Sequence, residues 1–186
     1  MKVLLILLMS FVFLCVLTVS AQQNETEKAI EIYRNGDFSL ALNILKTVVE
    51  TEKEDRKAWL YLGACYVRSR NEKLAREAFK KADSLLPKKY SLEDNIKFNE
   101  GLKITLKPRV PYSERARAEG IQGTVKFAVE YGADGKIKFI FPFQTLMLGL
   151  TEDCLESAKK IQYDPARKNG KPVTVVGITS YNFTIY

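Results

Sequence analysis

Residues 124–142 read TVKFAVEYGADGKIKFIFP, and they set the architecture of the chain around them. Val125, Phe127, Val129 and Tyr131 alternate with Thr124, Lys126 and Glu130, the period of two that marks a strand with one buried face. Gly132-Ala133-Asp134-Gly135 supplies a hairpin turn. The return strand is expected to place Ile137, Phe139 and Phe141 on the same buried face, until Pro142 ends it. Further on, Thr151 reads as a helix N-cap with Glu152 and Asp153 in the first turn, and Leu155, Ala158 and Ile161 face inward. The turn Asn169-Gly170 then leads to a last strand from Val173 to Ile185. On the other side, Pro108 and Pro111 open the segment, and Tyr112–Glu119 makes a short helix stopped by Gly120. The order helix, strand, hairpin, strand, helix, strand predicts a small α+β domain over residues 102–186, with a three-stranded antiparallel sheet and two helices.

The last strand has a property of its own. From Pro172 to Tyr186 the sequence PVTVVGITSYNFTIY carries no charged side chain. Exposed sheet edges are ordinarily blunted by lysine, proline or bulges. Two readings follow: the strand is central and paired on both sides, or it is an edge left open to receive another strand. Alternation turns Val173, Val175, Tyr181, Phe183 and Ile185 toward the helices. The other face then holds Thr174, Val176, Ile178, Ser180, Asn182 and Thr184. If the edge is open, backbone hydrogen bonds to an added strand would supply affinity and side-chain pockets the specificity.

The first half has a helical period. Trp59, Leu62, Gly63 and Tyr66 share one helix face, and Ala75, Phe79 and Ala82 share a second, after a polar break at Ser69-Arg70-Asn71. Gly63 and Ala75 are small where two helices must approach closely, and Pro87 stops the second helix. This spacing resembles the tetratricopeptide repeat. Thirty-four residues earlier (about one repeat length), Ala29, Ile32, Ala41, Leu45 and Val48 take the places of Gly63, Tyr66, Ala75, Phe79 and Ala82. Glu25 replaces Trp59 at the start of this weaker copy. A fifth, capping helix is expected, with Ser91 as N-cap and Gly101 as its stop, so the helical region spans 22–101. So short an array calls for docking on the second domain or self-association. The resemblance implies either a groove for a partner protein or a packing module.

A second resemblance covers residues 107–186. It rests on the run Lys107-Pro108-Arg109-Val110-Pro111-Tyr112-Ser113-Glu114-Arg115-Ala116-Arg117 and on Gly120-Ile121-Gln122-Gly123-Thr124-Val125. Asp134-Gly135-Lys136-Ile137, Tyr163-Asp164-Pro165-Ala166-Arg167, Gly170-Lys171-Pro172-Val173 and Tyr181-Asn182-Phe183 follow in order. Together they resemble the C-terminal domain of the TonB energy-transducer family. That resemblance implies strand addition beside the last strand, by a segment of an outer-membrane transporter. Val176, Ile178, Ser180, Asn182 and Thr184 would form the partner edge, and Pro111 and Tyr112 a family motif beside it. The chain departs from the family at Phe143–Leu150, where FQTLMLGL is greasier, and it has no proline-rich spacer.

Composition narrows the function. The chain of 186 residues contains no histidine, which excludes Ser-His-Asp and Cys-His nucleophiles and His-ligated metals. Neither a cofactor pattern nor a catalytic cluster occurs, so an enzyme is not expected. Lys2 precedes the apolar run of residues 3–19, followed by Ser20 and Ala21. That is the layout of a signal peptide over residues 1–21, or of a retained anchor. The net charge of +7 is spread over alternating signs rather than gathered in a basic stripe, so no nucleic-acid partner is expected. Cys65 and Cys154 read as buried thiols or as an interdomain disulfide. The expectation is an exported adaptor of the periplasm, anchored to the inner membrane only if the leader stays. Its partners would be an outer-membrane transporter segment, other envelope proteins or a second copy of the chain. The alternative is an envelope scaffold whose second domain only dimerises or packs.

Overall fold

A computed structural model describes residues 25–86 and 101–185. The leader over 1–21 and the expected capping helix from Ser91 lie outside the described residues. Four helices come first: α1 over residues 25–34, α2 Phe38–Thr51, α3 Arg56–Arg68 and α4 Glu72–Ser84. Each of the last three begins at a short polar residue that closes an otherwise unsatisfied backbone N–H. Asp37 accepts from Leu40, Asp55 from Ala58 and Asn71 from Leu74. The α3–α4 hairpin closes around Gly63, where an added Cβ would lie 2.6 Å from the Phe79 ring. None of the described helices is long and apolar enough to cross a membrane.

The second half holds β1 Lys103–Leu106, α5 Glu114–Ala118, β2 Gly123–Tyr131, β3 Ile137–Gln144 and α6 Leu150–Ala158. After these come β4 Gln162–Asp164, β5 Arg167–Lys168, β6 Lys171–Pro172 and β7 Val175–Phe183. The principal sheet is antiparallel in the order β3-β2-β7, and β1 pairs with β4 in a two-stranded ribbon. The fold is therefore α+β, with helical hairpins followed by a three-stranded sheet and its helices. Asn169 and Gly170, both at positive φ, turn β5 into β6 as a type I′ turn requires.

Both faces of the sheet are covered. On one side Val125, Phe127, Val129, Tyr131, Val175, Tyr181 and Phe183 pack with Leu150, Cys154 and Ala158 of α6. On the other side Ala128, Phe141, Phe143 and Val176 join a core made by Ile30, Tyr33, Leu45, Leu60, Ala64 and Phe79 of the helical region. The helices thus dock on the face that polar alternation had marked as solvent-facing.

Three expectations are corrected here. Phe139 and Phe141 do not share a face with Ile137: a register shift in the β2–β3 ladder beside Glu130, between Ile137 and Phe139, reverses the side-chain phase. Ile137 and Ile140 pack toward α6, whereas Phe139, Phe141 and Phe143 meet the helical region. Pro142 does not end β3, which continues to Gln144; proline is tolerated because β3 is an edge strand. Thr151 is not the N-cap of α6, a position taken by Gly149. Its hydroxyl instead donates to the Leu146 carbonyl at 2.7 Å and accepts from the Leu146 N–H at 2.9 Å. Cys65 and Cys154 are free buried thiols in cores on opposite faces of the sheet, so no disulfide joins the domains.

Candidate functional site

The two sheet edges differ. β3 is blunted: Lys138 is tied to Asp134 at 2.7 Å, Pro142 has no N–H, and its carbonyl accepts from Arg76 of α4 at 2.9 Å. An open groove of about 580 Å³ runs beside it, between Lys136–Ile140, Leu155 of α6 and Lys159 just past the end of that helix. β7 pairs with β2 without a bulge, from Gly123↔Phe183 to Tyr131↔Val175. It has no strand on its other side among the described residues.

Which backbone groups of β7 face outward follows from the bonds around it. The Thr124 carbonyl, opposite Asn182, is turned toward β3, where it accepts from Gln144 at 2.8 Å. Asn182 therefore directs its own N–H and C=O away from β2, and by alternation so do Ser180, Ile178, Val176 and Thr174. Two of these carbonyls already have partners. Thr174 O accepts from Arg34 Nε at 2.9 Å and from the Tyr61 hydroxyl at 3.4 Å, both on the helical region. Ser180 O accepts from Lys107 Nζ at 2.5 Å.

The edge is therefore uneven along its length. Val176 is only 2% exposed, sealed into the core that the helices form with the sheet, and Ile178 is half-buried against the same core. Of the residues expected at the partner edge, these two have their side chains covered by the docked helices. Ser180 is half-buried, Asn182 and Thr184 are exposed, and Thr124 Oγ1 donates to Asn182 Oδ1 at 2.7 Å. Pro111 is exposed. Tyr112 stacks edge-on with Phe183, at 5.4 Å between ring centres, while its hydroxyl donates to the Ile121 carbonyl. Tyr112 thus braces the end of β7 from the α6 side, and Pro111 stands beside it.

Sequence reasoning missed three participants. Glu130 reads as a solvent residue but is 2% exposed, accepting from the Tyr33 hydroxyl at 3.0 Å and from the Arg68 guanidinium. Burial pushes its carboxyl above the usual range, with Arg68 acting against that shift. Lys126 likewise reaches Asp83 of α4 at 2.6 Å. Lys107 lies with its Nζ 4.4 Å from the centre of the Tyr181 ring, and burial holds its ammonium below the ordinary lysine range. A signal for Lys107 existed, since it opens the proline-rich run quoted above. Glu130 had none, because its partners lie 97 and 62 residues away.

Residues 108–185 match the family model of the Gram-negative bacterial TonB protein C-terminal. Over that stretch the chain is similar to a TonB C-terminal domain. The match does not extend into the helical region. Among solved structures, the solution NMR structure of the Pseudomonas aeruginosa TonB CTD is 24% identical. That likeness covers 45% of this chain and 86% of that one, with a TM-score of 0.38. No curated protein matches the chain.

Proposed function

We propose that this protein is an exported adaptor of the periplasm that binds an extended segment of a partner by strand addition to β7. The observation that carries the reading is an unblunted edge: among the described residues β7 pairs on one side only, and it carries no charged side chain. The available stretch is its C-terminal half, at Ile178, Ser180, Asn182 and the following Thr184. Pro111 and Tyr112 flank it. The partner is a segment of an outer-membrane transporter or of another envelope protein. The two helical hairpins are tetratricopeptide-like repeats whose role is to hold the sheet, because the face of α1 and α3 carrying Tyr33, Arg34, Tyr61 and Arg68 is occupied by β2 and β7.

A photoreactive side chain at Asn182 or Thr184 tests this in intact cells. The reading expects a crosslink to an extended segment of one envelope protein, absent when the same probe stands at exposed Met147. Equal labelling from Met147, or none from Asn182 and Thr184, refutes it. The scaffold alternative is favoured by one observation, the sealing of Val176 beneath the helices. It predicts no crosslink to another envelope protein, only to a second copy of the chain or none.

A further inference from the structure

We propose that Lys107 is a resident plug on the accessible half of β7, and that an added strand binds only by displacing its ammonium from the Ser180 carbonyl. The inference rests on the strand-addition reading and gives that edge its regulation. The helical region closes the N-terminal end of the edge, through Arg34 and Tyr61 on Thr174 O and through the burial of Val176. What remains from Ile178 to Asn182 has one outward acceptor at its centre, Ser180 O, and Lys107 Nζ sits on it at 2.5 Å.

The plug is held loosely in chemical terms. Among the described residues no carboxylate pairs with Lys107; its contacts are the carbonyl and the face of Tyr181. A half-buried ammonium without an anion carries a desolvation cost that release to water would return. A backbone N–H from an added strand can take over the carbonyl, so displacement exchanges one donor for another rather than leaving Ser180 O unsatisfied. Two of the few large apolar side chains exposed among the described residues lie near this contact in the sequence. Leu106 precedes Lys107, and Ile185 follows the end of β7. Charge at an edge is also a common guard against edge-to-edge pairing. In β7 itself that guard is missing, and Lys107 supplies it from outside.

The test uses the full chain and one probe, a peptide copying residues 177–184 with a solubilising polyethylene-glycol tail, measured by fluorescence anisotropy. Lys107→Ala and Lys107→Met should bind it about tenfold more tightly than the wild type, while Lys107→Arg, which keeps a donor, stays within about twofold. Both neutral variants should also self-associate at lower concentration in sedimentation velocity. In the wild type, the Lys107 side-chain NMR signals, displaced by the Tyr181 ring, should move to solvent positions as peptide is added. Equal or weaker peptide binding by folded Lys107→Ala overturns the plug and leaves strand addition standing. Undiminished binding by folded Ile178→Pro overturns strand addition itself, and the plug with it. Failure of the peptide to bind any variant overturns both.

Discussion

Gly63→Ala is the sharpest probe of the contact between the helical region and the sheet. In an ordinary helix interior this change gains about 1 kcal/mol, because alanine loses less backbone entropy than glycine. Here the added Cβ would stand 2.6, 2.8 and 2.9 Å from three carbons of the Phe79 ring. The ring cannot easily yield. Phe79 is fully buried and packs against Phe141 and Phe143 of β3, at 5.7 and 6.0 Å between ring centres. Overpacking costs about 1–3 kcal/mol, and three approaches this short to a buried ring put the cost in the upper part of that range, about 2–3 kcal/mol. The packing loss therefore outweighs the propensity gain, and a net destabilisation of about 1–2 kcal/mol is expected, or about 3–6 °C in melting temperature for a chain of this size. Phe79→Leu alone should cost about 1–2 kcal/mol through the space it leaves. Combined with Gly63→Ala, the two changes should cost less than their sum by about 1 kcal/mol, since each relieves the other. Urea denaturation of the four proteins, followed by tyrosine and tryptophan fluorescence, measures the cycle. A Gly63→Ala protein as stable as the wild type, or an additive cycle, would refute the packing of Phe79 between the α3–α4 hairpin and the sheet.

Further outcomes follow from the same structure. Glu130→Ala should destabilise the docked chain by about 2–3 kcal/mol, since it strands the Tyr33 hydroxyl and the Arg68 guanidinium, which is one-third exposed; Glu130→Gln, which keeps an acceptor for Tyr33, should cost less in the same urea assay. Because burial raises the Glu130 carboxyl in the folded state, the folded chain binds that proton more tightly than the unfolded one. The wild-type stability relative to Glu130→Gln should therefore be greatest below the ordinary glutamate range and fall as pH rises through the raised value, in paired melts of the two proteins stepped upward in pH from below that range. Burial pushes the Cys65 and Cys154 thiols up to about 12, so neither should react with a thiol reagent at neutral pH until denaturant is added; rapid native labelling would contradict their burial. Ile178→Pro removes an outward N–H without touching the ladder to β2, so near-ultraviolet dichroism should show an intact fold while strand binding is lost.

How much of this was legible in the chain depended on the range of the forces involved. The alternation of Val125, Phe127, Val129 and Tyr131 marks the face turned to α6, and the hairpin at Gly132–Gly135 and the turn at Asn169-Gly170 lie where local backbone preference puts them. The spacing around Gly63 and Phe79 likewise announces two packed helices, because steric fit within one hairpin involves residues 16 apart in sequence. These are local periodicities, and one chain segment carries each of them whole. The second face of the sheet was not legible. Lys126 and Glu130 look like solvent residues because polarity alone cannot tell water from a hydrogen-bonding partner elsewhere in the fold. Asp83, Tyr33 and Arg68 satisfy them only after the helices dock. The phase of Phe139 and Phe141 was hidden for a related reason, since a bulge on β3 is defined by its register against β2 and leaves no mark on the alternation within β3 itself. The candidate site divides along the same line. Its strand was visible as an uncharged run, but the sealing of Val176 by the helices and the seating of Lys107 on Ser180 O depend on which surfaces meet in space, 73 residues apart in the case of that last contact.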